Sequence, residues 1–433
     1  MSLIRDYEKK TPTSKRLYQR ACKVFPSGST RAPYYWKPHP IYIERAKGCR
    51  IWDVDGNEYI DYCNNMGPLI LGHNHPKVVS AVQEQIESSF WEGGPSELEI
   101  TLAEKVTESF PCAEQVQFCP SGTEACMNAV RILRAHTGKE KIAMFDGGYH
   151  GSSDSVFRAK GIPEDLLKKV IYMPYNDPEA VEDIVKKHKN ELAMVFAEAV
   201  LKDITPKEGF LKVLREITQE NEVPLAFDEV VTGFRLAPGG VQERFGVVPD
   251  LVVLGKILGG GFPCGAVAAS REIMNEYLYP NTDGIEVRKP PIEHPGTFND
   301  HKVTMAAGLA TIKELTPGAY ENLERIGKSI RNGLKKVCSD LGVEAQITGI
   351  GSIFHIYFTD KEVVDAKSAK NADPLLIRYY DLNLLLRGIN LAKAHCSYCS
   401  VPMTDTDARD TLEAMEQTLI SMKPMISRTH LVS

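Results

Sequence analysis

The 433-residue sequence has no surplus of positive charge: 51 lysines and arginines stand against 57 aspartates and glutamates, a formal net charge of −6. That balance excludes the basic footprint of a nucleic-acid binder or of a protein held to an anionic membrane. No apolar run approaches the roughly 20 residues needed to span a bilayer. The opening residues, MSLIRDYEKK, lack the apolar core of a signal peptide. There is no G-x-x-x-x-G-K-S/T loop and no G-x-G-x-x-G following a strand, so the nucleotide-binding fingerprints are missing. Internal repeats and low-complexity tracts are absent. The ten cysteines are scattered, several inside apolar runs (Cys63, Cys119, Cys126, Cys338). Such usage suits a reducing compartment better than a disulfide framework, and the expected location is cytoplasmic. Cys396 and Cys399 have CxxC spacing but no second such pair, and His73 and His75 have no third ligand spaced for a metal. Both are read as ordinary structure.

A hydrophobic content of 43% and a charged content of 25% are those of a globular protein, and the length argues for more than one core. The chain is organised around 224–265, PLAFDEVVTGFRLAPGGVQERFGVVPDLVVLGKILGGGFPCG. Two short apolar runs, 224–227 and 251–254, read as strands buried on both faces of a parallel sheet. The first delivers Asp228 and the second Gly255 and Lys256. Ligands of open α/β sheets bind outside the carboxyl ends of the strands, so an acid and an amine meet at one edge. Gly259, Gly260 and Gly261 then let the backbone pass close to something bulky. One chemistry wants this pair. A lysine that forms a Schiff base with pyridoxal phosphate must lose its proton, which a dry pocket favours. A buried aspartate keeps the cofactor's pyridine nitrogen protonated. On the residues alone, a structural Asp–Lys ion pair is an equal alternative.

Elsewhere the pattern places a helix at 13–23 and a hairpin around Asp55-Gly56 in RIWDVDGNEYID. A helix follows at 76–88, and strand, turn and helix occupy 115–138. Ser121, Gly122 and Thr123 open that helix, as an anion site or as a plain N-cap. Cys126, Val130 and Leu133 give it a buried stripe. Strands at 142–145, 169–173, 192–197, 224–227 and 251–255 alternate with helices at 178–189 and 208–220, which argues a parallel sheet covered on both faces. A helix at 301–315 runs into a longer helical stretch near 302–340. A strand at 353–358 and helices at 374–386 and 405–422 complete a smaller α+β domain. Arg31, in an irregular stretch with Tyr34, Tyr35 and Trp36, is a solvated loop residue or a carboxylate grip.

FDEVVTGFR, PDLVVLGKILGGGFPCGA, DVDGN, GPLILGH, SGTEA, DGGYHG and HPGTF together resemble the class III, fold-type I pyridoxal-phosphate aminotransferases, and most the glutamate-1-semialdehyde aminomutase-like branch. The spacing of Asp228 and Lys256, 256 − 228 = 28, fits that family, and the resemblance runs from about residue 26 to 420. It implies an α/β fold: a large domain at 71–304 with a mostly parallel sheet, and a small domain formed by 1–70 and 305–433. It implies pyridoxal 5′-phosphate attached at the catalytic Lys256 and bound by Ser121, Gly122, Thr123, Tyr149, Asp228 and Thr297. Tyr149 stacks on the ring with His150 beside it. Thr297 reaches the phosphate of the partner subunit, so a homodimer with active sites at its interface is expected. Arg31 holds the carboxylate of a small amino or keto acid. The expected reaction is amino-group transfer on such an acid; an aminomutase, or a racemase or epimerase, is the alternative. Two departures bear on this choice. The branch's glutamate on the C-terminal pocket strand has no counterpart in LAKAHCSYCSVPMT, and Phe298-Asn299-Asp300-His301-Lys302 is closer to the β-amino acid aminotransferases. A third departure, Glu198-Ala199 where the family has Glu-Pro, indicates an altered loop at 200–209.

Overall fold

The computed structural model describes residues 2–31, 37–89, 93–280, 288–393 and 396–429. The chain forms two compact units. The first comprises 1–75, 317–363 and 368–433; the second comprises 76–316 and 364–367.

The first unit begins with two helices, Ser2–Lys10 and Pro12–Ala21. They break at Thr11 because Pro12 lacks an N–H and is suited to the first turn of a new helix. The sequence pattern marks only the second. Strands β1 (Ile43–Lys47), β2 (Arg50–Asp53) and β3 (Glu58–Asp61) form an antiparallel meander. At the β2–β3 turn, Asp53 Oδ1 accepts from the N–H of Asp55 at 3.0 Å and of Asn57 at 2.8 Å, while Gly56 takes φ 83°. That is the expected hairpin, closed by a carboxylate that mimics a backbone acceptor.

The second unit is built on seven strands: β4 (Gln115–Cys119), β5 (Lys141–Phe145), β6 (Val170–Met173), β7 (Leu192–Ala197), β8 (Leu225–Asp228), β9 (Leu251–Gly255) and β10 (Gly265–Ala269). Their order is β4-β10-β9-β8-β7-β5-β6. The neighbours from β9 through β6 are parallel, whereas β10 is antiparallel to β4 and β9. The sheet is mostly parallel, as expected from the sequence, and the antiparallel β10 is a strand that the sequence pattern did not mark. Only residues 256–264 join β9 to β10, too few for the crossover that a parallel return requires. One edge of the sheet therefore carries the carboxyl ends of β4, β5, β7, β8 and β9 and the start of β10. The helix Gly122–Thr137 packs Ala125, Cys126, Ala129, Val130 and Leu133 onto Phe196, Ala226 and Val253, all at most 1% exposed. Burial of each larger apolar side chain there contributes about 1.5–3 kcal/mol.

The helical stretch near 302–340 is two helices, Lys302–Glu314 and Pro317–Leu341. Pro317 starts the second and disfavours helix in the residue before it. The units divide there rather than at 305, and the other boundary lies at 75/76 rather than 70/71. The reason is that Lys302–Glu314 buries Val303, Met305, Ala307 and Leu309 within the second unit. The first unit resumes with β11 (Gln346–Thr348), β12 (Ile353–Tyr357), β13 (Ile389–Asn390) and β14 (Ser397–Tyr398). β12 pairs antiparallel with β11 and β14, and β13 adds to β3 in parallel. Helices Pro374–Leu386 and Asp405–Thr429 complete it. Among the described residues, no helix is long and apolar enough to cross a membrane.

Candidate active site

Asp228 ends β8 and is 7% exposed. Donors from three segments meet its carboxylate. His150 Nδ1–H donates to Oδ2 at 2.8 Å, Cys126 Sγ–H to Oδ2 at 3.5 Å, and the N–H of Val230 to Oδ1 at 3.0 Å. Burial, and then the Asp228 charge, push the Cys126 thiol well up, so it stays a donor. The His150 ring is stacked on Phe196, with centroids 4.1 Å apart and planes 22° apart. Glu198 follows the end of β7, two residues after Phe196. The residue after Asp228, Glu229, faces elsewhere. Its Oε2 accepts from Val241 N–H at 2.6 Å and Thr232 Oγ1–H at 3.1 Å, and burial pushes its carboxyl up to about 7. Gly240 leaves room for it, since a Cβ there would lie 2.0 Å from Oε2. Of the Asp-Glu pair, one acid faces the sheet edge and the other braces the following turn.

Lys256 is the first residue past β9, and Asp228 pairs with Val253 three residues earlier, so acid and amine leave adjacent strands at one edge. Their charges converge on Cys126, whose thiol feels both. Lys256 takes φ 48°, a left-handed conformation that strains a residue with a Cβ. Two glycines beside it are required by close approach. A Cβ on Gly265 would lie 2.2 Å from Ser121 O, and one on Gly122 would lie 2.9 Å from Val230 Cγ1. The ends of β9 and β10 are thus packed against the loop that opens Gly122–Thr137.

In that loop Ser121 Oγ accepts from Glu124 N–H at 3.1 Å, an N-cap. The cap occupies the Ser121 side chain. The first-turn N–H groups at Gly122 and Thr123 lie beyond intrahelical partners by helix geometry and face the positive end of a sixteen-residue helix. Gly151 packs on Thr123, its Cβ position being 2.6 Å from Thr123 Cα. Tyr149 is 53% exposed, and its N–H donates to Glu198 Oε2 at 2.9 Å. Glu198 is buried and pushed up to about 7, by burial first, with His150 opposing and Asp228 adding. Its carboxyl carries the backbone of the Tyr149-His150 segment. Ala199, where the family has proline, accepts from the Tyr175 hydroxyl at 2.8 Å.

Thr297 lies in an exposed turn of the second unit, next to Phe298, which is 56% exposed. His294 Nε2–H, donating to Phe118 O at 2.7 Å, ties this segment to β4. Arg31 belongs to the first unit, exposed, with Nη1–H donating to Asn65 Oδ1 at 2.7 Å. Tyr34, Tyr35, Trp36 and His395 fall outside the described residues. Lys393 is partly buried, desolvation lowers the pKa of its amine, and it donates to Asn390 Oδ1 at 3.3 Å. His73 bonds Asp61 Oδ2 at 2.7 Å, none of the ten cysteines forms a disulfide, and Cys396 and Cys399 are buried. Among the described residues, Cys126, His150 and Asp228 come together in the manner of metal ligands. The hydrogen bonds above account for that grouping. The Cys126 contact and the Phe196 stack were not anticipated from the sequence; the only local signals are the helical stripe and the strand period.

These residues fit pyridoxal phosphate. A buried carboxylate suits a protonated pyridine nitrogen, a helix N-terminus suits a phosphate, and an amine stands at the same edge. Gly122 and Gly265 let Val230, the Ser121 loop and the start of β10 pack closely at this edge.

Comparison with known proteins agrees. The class-III aminotransferase family model matches residues 33–419. Over 425 residues the chain is 41% identical to the glutamate-1-semialdehyde 2,1-aminomutase of Methanocaldococcus jannaschii, covering 94% of this chain and 98% of that one. An omega-transaminase from Sphaerobacter thermophilus is 36% identical with a TM-score of 0.88, covering 94% of this chain and 97% of the other. A beta-phenylalanine aminotransferase from Variovorax paradoxus is 31% identical with a TM-score of 0.90, covering 98% and 97%. The chain belongs to the class-III aminotransferase family and is a pyridoxal-phosphate-dependent enzyme acting on small molecules.

Proposed function

We propose that the enzyme transfers the amino group of a carboxylate-bearing amino acid to a keto acid. The observation that carries this reading is the convergence of Asp228 and Lys256 at one sheet edge beside the N-terminus of Gly122–Thr137. The two solved transaminases, one named for a β-amino acid, support the direction of the chemistry. So does the absence of a carboxylate in LAKAHCSYCSVPMT. A second reading, an aminomutase that moves the amino group within one bound molecule, is favoured by the 41% identity to the Methanocaldococcus jannaschii protein.

When bound, pyridoxal phosphate draws electrons away from the carbon that carries the substrate amine. Lys256 Nζ would take the proton that this carbon releases, as general base, and would pass it on as general acid to the cofactor carbon that takes over the amino group, not back to the carbon it left. Asp228, supported by His150 and Cys126, would hold a negative charge that favours a protonated pyridine nitrogen. Gly122 and Thr123 hold the phosphate through their N–H groups, and Ser121 caps their helix. Tyr149 would pack on the ring of the bound cofactor. Arg31 orients the substrate through its carboxylate by two parallel hydrogen bonds. Thr297 serves the phosphate site of a second copy of the chain, which makes the working form a homodimer; the exposure of Thr297 and Phe298 supports this. Sedimentation showing an active, cofactor-loaded monomer would contradict the dimer.

Omission of the acceptor tests the reaction. With an amino acid donor and pyruvate, turnover should continue; without pyruvate it should stop near one event per site. Sustained conversion of glutamate 1-semialdehyde to its isomer without any acceptor, and no acceptor-dependent transfer from amino acids, would establish the aminomutase instead.

A further inference from the structure

We propose that Asn65 is a positioning residue for the substrate carboxylate, acting by holding the Arg31 guanidinium in a fixed orientation without neutralising it. The inference rests on the reading of Arg31 as the carboxylate anchor.

The starting observation is backbone strain. Asn64, Asn65 and Met66 take φ values of 45°, 55° and 67°, three successive left-handed residues before Gly67 at 109°. Left-handed backbone is unfavourable for any residue with a Cβ, and asparagine tolerates it better than most. Such a run persists only where its surroundings over-determine it. Here they do. The Asp61 carboxylate accepts from the N–H groups of Cys63 at 3.0 Å and Asn64 at 3.2 Å. Asp61 is itself held by His73 Nε2 at 2.7 Å and Asn390 Nδ2 at 2.7 Å. Asn64 is fully buried and donates through Nδ2 to Tyr398 O at 2.7 Å. The N–H of Met66 closes onto Cys63 O at 2.8 Å, and that of Gly67 onto Asn64 O at 3.0 Å.

This frame fixes the backbone of Asn65 and leaves its side chain exposed, with Oδ1 accepting from Arg31 Nη1–H at 2.7 Å. Arg31 is pinned at its own backbone too: Ser29 Oγ accepts from its N–H and donates to its carbonyl, both at 3.1 Å. A bond between two exposed side chains adds little to stability, so stability does not explain a strained frame behind it. Orientation does. Arg31 is long and flexible, and its planar fork recognises a carboxylate only when correctly turned. The choice of amide over acid follows from the same chemistry. An aspartate at 65 would pair with the guanidinium and compete with the incoming carboxylate; the neutral amide orients it and leaves the positive charge for the substrate.

The test compares 3-aminobutanoate with 2-aminobutane, the same amine with a methyl in place of the carboxylate, each with pyruvate and the holoenzyme. Asn65→Gly keeps a left-handed backbone and removes only the amide. It should lower the acid-to-amine ratio of kcat/KM by about 3- to 10-fold, chiefly through KM for the acid, as expected for one hydrogen bond. Asn65→Asp should lower the ratio further, and Arg31→Ala should remove the preference. If Arg31→Ala removes the preference while Asn65→Gly leaves the ratio unaltered, or changes only the melting temperature, Asn65 is scaffold and the inference fails while the anchor stands. If wild type shows no preference for the acid, or Arg31→Ala retains it, the reading of Arg31 fails and the inference with it.

Discussion

Lys256→Ala is expected to remove the yellow absorbance of the cofactor-bound enzyme and to lower kcat by at least about 10⁴-fold, with the fold intact. Two roles are lost together. The amine is the attachment point of the cofactor, and it is the base and acid that moves the substrate proton. A positioned proton-transfer group alone contributes roughly 10²–10⁴-fold, and groups acting as a unit do not add. Folding should survive because Lys256 lies past the end of β9 and is only partly buried, while the strand itself is anchored by Leu251, Val252, Val253 and Leu254. Alanine at φ 48° carries the same backbone strain as lysine, so no new strain enters. A small added amine such as methylamine should restore part of the proton transfer. Circular dichroism and melting temperature should stay near those of wild type. Turnover within tenfold of wild type would remove Lys256 from the chemistry.

Asp228→Asn is expected to lower kcat about 10²- to 10³-fold, or roughly 2.7–4 kcal/mol, the scale of losing one preorganised electrostatic group from a dry site. The substitution keeps the size of the side chain and removes the charge. His150 Nδ1, at 2.8 Å, and Cys126 Sγ, at 3.5 Å, then face an amide that offers one acceptor oxygen where the carboxylate offered two. The pyridine nitrogen loses the anion that favours its protonated form, and electrons released at the substrate carbon are poorly accommodated. Cofactor should still bind through the helix N-terminus, so the loss should fall on kcat more than on cofactor retention. Stopped-flow absorbance of the half-reaction with a single amino acid measures this step alone. A rate within threefold of wild type would exclude Asp228 as the partner of the ring nitrogen.

The parts of this site that were legible in the sequence share a physical reason. Residues 192–197, 225–228 and 251–255 are buried on both faces, so they read as unbroken apolar runs that end at Asp228 and Lys256. Gly265–Ala269 was missed because GAVAA is mostly glycine and alanine, which have weak strand preference. β13 and β14 are two residues each, too short for any period to register. The helix boundary at Pro317 was blurred because helical patterning resumes directly beyond it. What surrounds Asp228 was not legible, because Cys126, His150, Phe196 and Glu198 come from separate segments. They meet only through the strand order β8-β7-β5 and the helix laid across it, and local pattern carries no strand order. The bond between Arg31 and Asn65 was hidden for the same reason, since 34 residues separate them.

The most direct measurement is the site of cofactor attachment. Holoenzyme reduced with borohydride should carry one pyridoxyl group per chain, and peptide mass spectrometry should place it on Lys256. Attachment at any other lysine, or no attachment in an enzyme that retains activity, would contradict a centre built on Asp228 and Lys256.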